Sequence, residues 1–202
     1  MAATPYDERL ERLLSTAARV FADKGFHATT MRDLARATGM SLAGMYYYVR
    51  SKEDLLCAIQ QRCFHQVLAG AEAAVADATG PGDRVARFIH HHVGFFASHM
   101  SEMKVLSHEA KSLSGARLEK VNRLKRRYVD LLSRLIAELD RDGDGRPDPR
   151  IAAYGLFGMM NWIYTWYDPK GPVSPETLAE HFAQLFLTGA TAPSAAVAQG
   201  GS

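Results

Sequence analysis

The architecture of this chain turns on one stretch, Thr30-Met31-Arg32-Asp33-Leu34-Ala35-Arg36-Ala37-Thr38-Gly39-Met40-Ser41-Leu42-Ala43-Gly44-Met45-Tyr46-Tyr47-Tyr48. Its first four residues form a Ser/Thr-x-x-Asp/Glu box, which satisfies otherwise orphaned amides at a helix start. The short helix that follows carries Leu34 and Ala35 and stops at Gly39; Ser41 then caps another, through Val49. Two short helices joined by a Gly-Met-Ser turn within about 25 residues have the size and turn chemistry of a helix-turn-helix, whose second helix enters the DNA major groove. Leu42, Ala43 and Gly44 are small or apolar there, which lets the backbone approach base edges and thymine methyls. Tyr46, Tyr47 and Tyr48 offer hydroxyls to a phosphate or base edge, or serve only as core and surface aromatics. Thr30 and Lys52 flank the groove as phosphate holders.

Outward from this stretch, nearly every segment keeps a helical period, and no run of alternating β-branched residues occurs. The spacing predicts a first helix from Asp7 to Lys24, with Leu10, Leu13, Leu14, Ala17 and Phe21 on one face. Ser51-Lys52-Glu53-Asp54 opens a long helix to about Ala76, and Thr79-Gly80-Pro81-Gly82-Asp83 breaks the chain. Further helices are expected over 84–100, 102–113, 116–139, 150–167 and 175–188. The fold class is all-α.

The chain has 202 residues, 47% of them apolar, with 24 Lys and Arg against 22 Asp and Glu. That length fits one compact domain or two small ones, and interspersed charge excludes disordered and fibrous classes. A net charge of +2 does not declare a nucleic-acid binder by itself. Placement says more: residues 1–65 hold nine Lys and Arg against seven acids, and the remainder balances at fifteen each. Apolar runs such as Leu156 to Met160 fall far short of the roughly 20 residues a membrane span needs. The first eight residues lack the basic head and apolar core of a signal peptide, and Cys57 and Cys63 make no disulfide framework. The expectation is a cytoplasmic protein with no membrane partner.

Residues 13–59 carry a resemblance in Ala17-Ala18-Arg19-Val20-Phe21, Gly25-Phe26, Thr29-Thr30-Met31-Arg32-Asp33-Leu34-Ala35, Gly39-Met40-Ser41, Tyr46-Tyr47-Tyr48-Val49 and Lys52-Glu53-Asp54-Leu55-Leu56. They resemble the DNA-binding region of tetracycline-repressor (TetR) family regulators. The resemblance implies an all-α homodimer with a three-helix DNA-binding domain over 1–52 and an effector-binding and dimerisation domain over 53–190. The Ala/Ser/Gly tail, 191–202, is expected to be disordered. Thr30, Arg32, Ser41, Leu42, Ala43, Gly44, Tyr46, Tyr47, Tyr48 and Lys52 fall on the positions that touch DNA in the family. The implied function is a repressor that a small molecule releases from a palindromic operator. One departure stands out: the recognition helix has no Arg, Asn or Gln, the usual bidentate base readers. The rival class, a helical enzyme, lacks any convergent His/Asp/Glu/Cys set, and no cofactor is expected.

Residues 155–167, followed by Gly171-Pro172-Val173-Ser174-Pro175-Glu176, are similar to a subset of the family whose effectors are acyl-CoA thioesters. The expected pocket is lined by Phe88, His92, Phe96, Met159 and Trp162, with Asn161 as a polar anchor. Lys120, Arg123 and Arg127 share a helix face, which is either a solvated face or a landing site for CoA phosphates. An uncharged hydrophobic drug or metabolite is the alternative effector. Leu178, Phe182, Leu185 and Phe186 are expected to face the partner subunit in a four-helix interface. Two decoys fail on chemistry. Asp140-Arg141-Asp142-Gly143-Asp144-Gly145 begins like an EF-hand, but Ile151 stands where a bidentate Glu is needed. His90, His91 and His92 are consecutive on a helix and fan over roughly 200°, too far to converge on one metal.

Overall fold

A computed structural model describes residues 4–109, 111–139 and 148–191. The EF-hand-like segment at 140–145 and the tail from 192 onward lie outside the described residues. Every regular element described is helical: α1 (Pro5–Lys24), α2 (Met31–Thr38), α3 (Leu42–Tyr48), α4 (Lys52–Ala76), α5 (Pro81–Ser98), α6 (Met100–His108), α7 (Gly115–Ala137), α8 (Pro149–Asn161) and α9 (Pro175–Thr191). Two expected helices end early. The one expected over 102–113 stops at His108, where the Glu109 side chain is drawn off to the Phe26 amide and Ser112. The one expected over 150–167 tightens at Trp162–Thr165 into a 3-10 turn, a common way to close a helix end.

The described chain forms two compact units. The first gathers the residues up to Ala69 with Phe95–Arg127, the second Gly70–Gly94 with the described residues from Tyr128 onward. The first unit reaches beyond residue 52 for a physical reason. One 20-residue helix and two short ones over about 50 residues leave a small core that needs further cover. The core around Leu13, Phe21, Leu34 and Met45 is completed by Leu55 and Ile59 of α4, and by Val105, Leu113 and Val121. Polar groups fasten α6 to the same unit. Arg62 on α4 reaches Glu102 on α6 at 3.1 Å and Glu11 on α1 at 2.6 Å, and the Glu102 side chain is only 8% exposed. The Phe26 amide donates to Glu109 Oε1 (3.2 Å), and Gln60 Nε2 donates to the Glu109 carbonyl (3.3 Å).

The second unit buries Phe88, Ile89 and Val93 of α5, Leu132 of α7, Leu156, Phe157 and Met160 of α8, and Phe182 of α9. The opposite face of α8, which carries Ile151, Tyr154, Gly155 and Gly158 at helical spacing, is exposed. Trp162, Trp166 and Leu185 are exposed as well. The expected subunit-facing set on α9 therefore needs correction. Leu178 and Phe182 are already buried within their own protomer and Phe186 is half-buried, while Leu185 is 66% exposed. An apolar stripe has the same spacing whether it meets its own core or a partner.

Candidate nucleic-acid interface

The expected DNA-facing residues all lie in the first unit, where the local chemistry assigns them different tasks. Thr30 caps α2: the Asp33 amide donates to its Oγ1 (3.2 Å), and its own amide donates to Asp33 Oδ2 (2.9 Å). The Lys24 ammonium also reaches Asp33, at 2.7 Å. With the Thr30 groups, it holds the Asp33 carboxyl well below the usual carboxylate range. The α2–α3 turn passes through Gly39 at φ 67°, a left-handed conformation that favours glycine. Ser41 then caps α3 by accepting from the Gly44 amide at 3.0 Å. A Cβ on Gly44 would sit 3.1 Å from that Ser41 oxygen, so the missing side chain serves the cap.

Helix α3 is anchored by Met45, fully buried, and by Val49 just beyond its end. Leu42, Ala43, Tyr46 and Tyr47 are exposed, Tyr47 most of all at 74%. A helix tied down by one apolar row and presenting the other can enter a groove as a rigid rod. Arg32 is exposed on α2.

Two of the residues expected at the DNA also hold the first unit together. The Lys52 ammonium donates to the carbonyls of Phe26 (2.7 Å), Thr29 (2.9 Å) and His27 (3.4 Å), and lies 4.4 Å from the Phe26 ring centre. An ammonium has three donors, so all three are spent on the α1–α2 loop. Tyr48 stacks on Tyr6 with ring centres 4.9 Å apart, which pins the start of α1 to the end of α3. Tyr6 escaped the sequence reading, since no local pattern links residues 42 positions apart.

The expected effector residues divide between the units. Phe96 (buried) and Lys120, Arg123 and Arg127 (all exposed) belong to the first. The second holds Phe88 and His92 (buried), Met159 (half-buried), and Asn161 and Trp162 (exposed). Within the second unit, Phe88, His92, Tyr128 and Phe157 form one ring cluster, with Phe88 and Tyr128 centred 5.0 Å apart. Tyr128 and Phe157 were not anticipated as part of it. His92 Nδ1 lies 3.1 Å from the Tyr128 hydroxyl. Asn161, expected from the sequence to be a buried amide, is exposed. The three consecutive histidines diverge as expected: His90 turns to Glu180 (3.2 Å), while His92 faces Tyr128. Among the described residues no group of side chains is arranged to hold a metal ion, and no helix is long and apolar enough to cross a membrane.

Burial drives the His92 pKa down to about 3, reinforced by the charge of His91 and opposed in part by the Asn161 side chain. In the unfolded chain a histidine titrates near 6.5. The unfolded state therefore binds the extra proton between those values. The stability tied to His92 is complete above about pH 6.5 and falls on acidification, by at most about 1.4 kcal/mol per pH unit. Melting temperature measured from about pH 7.5 down to about pH 4.5 should fall less steeply for His92→Gln than for the wild type. Parallel slopes would contradict a neutral buried imidazole.

Comparison with known proteins follows the same division of labour. The family model described as bacterial regulatory proteins, tetR family, matches residues 13–59, and the tetracyclin repressor-like C-terminal domain matches residues 78–190. The transcriptional repressor KstR2 of Mycolicibacterium smegmatis is 30% identical over 91% of this chain and 91% of its own length. The transcriptional regulator BetI of Rhizobium meliloti is 34% identical, covering 89% of each chain. Among solved structures, AibR in complex with isovaleryl coenzyme A and operator DNA superposes with a TM-score of 0.78 at 30% identity, covering 88% of this chain and 97% of that one.

Proposed function

This chain belongs to the TetR family of bacterial regulatory proteins, and from that premise we propose that it acts as a homodimeric repressor released from a palindromic operator by an acyl-CoA. It is a DNA-binding transcriptional regulator and not an enzyme. The observation that carries the DNA reading is α3: a capped helix locked underneath by Met45, with Leu42, Ala43, Tyr46 and Tyr47 left outward. Two such helices in a symmetric dimer read half-sites about one helical turn, or a multiple of it, apart.

The dimer is supported by the exposed Ile151 and Tyr154 on α8 and by the exposed Trp162, Trp166 and Leu185, the kind of apolar surface that marks an interface. The thioester reading draws on the similarity to AibR, which binds isovaleryl coenzyme A, and on the exposed Lys120, Arg123 and Arg127. Guanidinium forks match phosphate geometry. One observation favours an uncharged effector instead. His92 is neutral and the rings around it carry no charge, so that cluster by itself offers an anion nothing.

A gel shift against the DNA upstream of its own gene tests the first half of the proposal. Retardation at low salt is expected, and its reversal by acyl-CoA thioesters but not by the free acids tests the second. Equal release by free acids, or a thioester response that survives Arg123→Ala with Arg127→Ala, selects the uncharged effector. Binding alone proves nothing, since a ligand releases DNA only by the degree to which it prefers the DNA-incompetent state.

A further inference from the structure

We propose that α1 carries a row of phosphate-binding arginines, Arg9, Arg12 and Arg19, which grips the DNA backbone beside the base-reading face of α3; this rests on the DNA-binding reading above. The three sit at i, i+3 and i+10 with Thr16 between them, on a face of α1 apart from the buried Leu13, Leu14, Ala17, Ala18 and Phe21. All three are exposed. Between this row and the α2–α3 turn lies a groove of about 670 Å³. Arg9, Arg12 and Arg19 form one wall, Thr38, Ser41 and Gly44 part of the other, and no carboxylate lines it.

Of the four acids of α1, two are committed elsewhere, and neither Glu8 nor Asp23 lines the groove. Asp7 is spent on the Thr4 cap and Glu11 on Arg62, so the positive potential in the groove stands with little to cancel it. Arg19 donates to Thr16 Oγ1 at 3.3 Å, which orients its guanidinium along the row.

Position identifies the occupant. Tyr6 stacks on Tyr48 at the end of α3, whereas Arg9 and Arg12 share the groove with Ser41 and Gly44 at its beginning. Helix α1 therefore runs along α3 in the opposite sense. A duplex that admits Leu42, Ala43, Tyr46 and Tyr47 to its major groove brings a flanking strand toward that row. Lys52, the cation expected to hold phosphate, has its donors occupied by carbonyls. Arginine forks facing an acid-free groove fit a phosphodiester chain better than a point charge would.

The test compares full-length wild type with the double variant R9Q/R12Q. Affinity is measured across a salt series on two duplexes, the region upstream of its own gene and a random sequence of equal length. Each lost phosphate contact lowers the slope of log affinity against log salt by about 0.9, so a dimer missing four should lose roughly 3–4 from the slope. Both duplexes should weaken by a similar factor, about tenfold or more at roughly 0.1 M salt, with melting temperature unchanged. An unaltered slope, or weakening confined to the upstream duplex, overturns the proposal. A wild-type chain that binds neither duplex overturns the DNA-binding reading itself, and this inference with it.

Discussion

Arg62→Ala is expected to be the most destabilising single change in the first unit, at about 3–5 kcal/mol. The side chain removed is the cation 3.1 Å from Glu102, and that carboxylate, 8% exposed, would stay behind in an apolar setting with its charge uncompensated. A buried pair can be worth little against a well-packed apolar substitute, yet breaking it from one side incurs the full desolvation penalty. Calorimetry should show a fall in melting temperature of roughly 10 °C or more. The double replacement Arg62→Met with Glu102→Met should recover most of it, because neither charge then remains. A single variant that melts within about 1 kcal/mol of the wild type would show that water reaches Glu102 after all.

The second large effect concerns assembly. Leu185→Glu and Trp162→Glu each place a charge on the exposed apolar surface of the second unit without touching its interior. Both should fold with near-native melting yet elute as monomers. Operator affinity should then drop by about 100-fold or more, because two linked heads bind with an avidity that a single head lacks. Phe182→Glu is the wrong probe: its side chain lies within the protomer, so the charge would unfold the unit instead of separating subunits. A Leu185→Glu protein that remains dimeric at micromolar concentration would move the interface elsewhere.

The two changes mark where sequence reasoning succeeds and where it stops. Caps and stripes are local, and the Thr30–Asp33 box, the Gly39 turn, the Ser41 cap and nearly every helix were legible from spacing alone. What was not legible depends on partners far away in the chain. Lys52 reads as a free cation until the Phe26–Thr29 loop folds around it. The stacking of Tyr48 on Tyr6 cannot be read from either local stretch. Leu178 and Phe182 read as an interface because an apolar stripe does not announce which surface will cover it. Arg9, Arg12 and Arg19 were visible at helical spacing, but a charged row is also what a solvated helix face displays.

The attachment of α6 and the start of α7 to the DNA-binding helices, through Glu102, Val105, Glu109, Leu113 and Val121, bears on how far this protein can be treated as interchangeable parts. A graft of the helix-turn-helix onto another regulator, cut at residue 52, would carry away Phe21 and Phe26 without the residues that roof them. It would also strip the Phe26 amide of its acceptor and Glu11 of Arg62. Chimeras from this chain should therefore be spliced so that α6 and the first half of α7 travel with the head. The boundary that heredity draws along the sequence is not the seam along which the molecule comes apart.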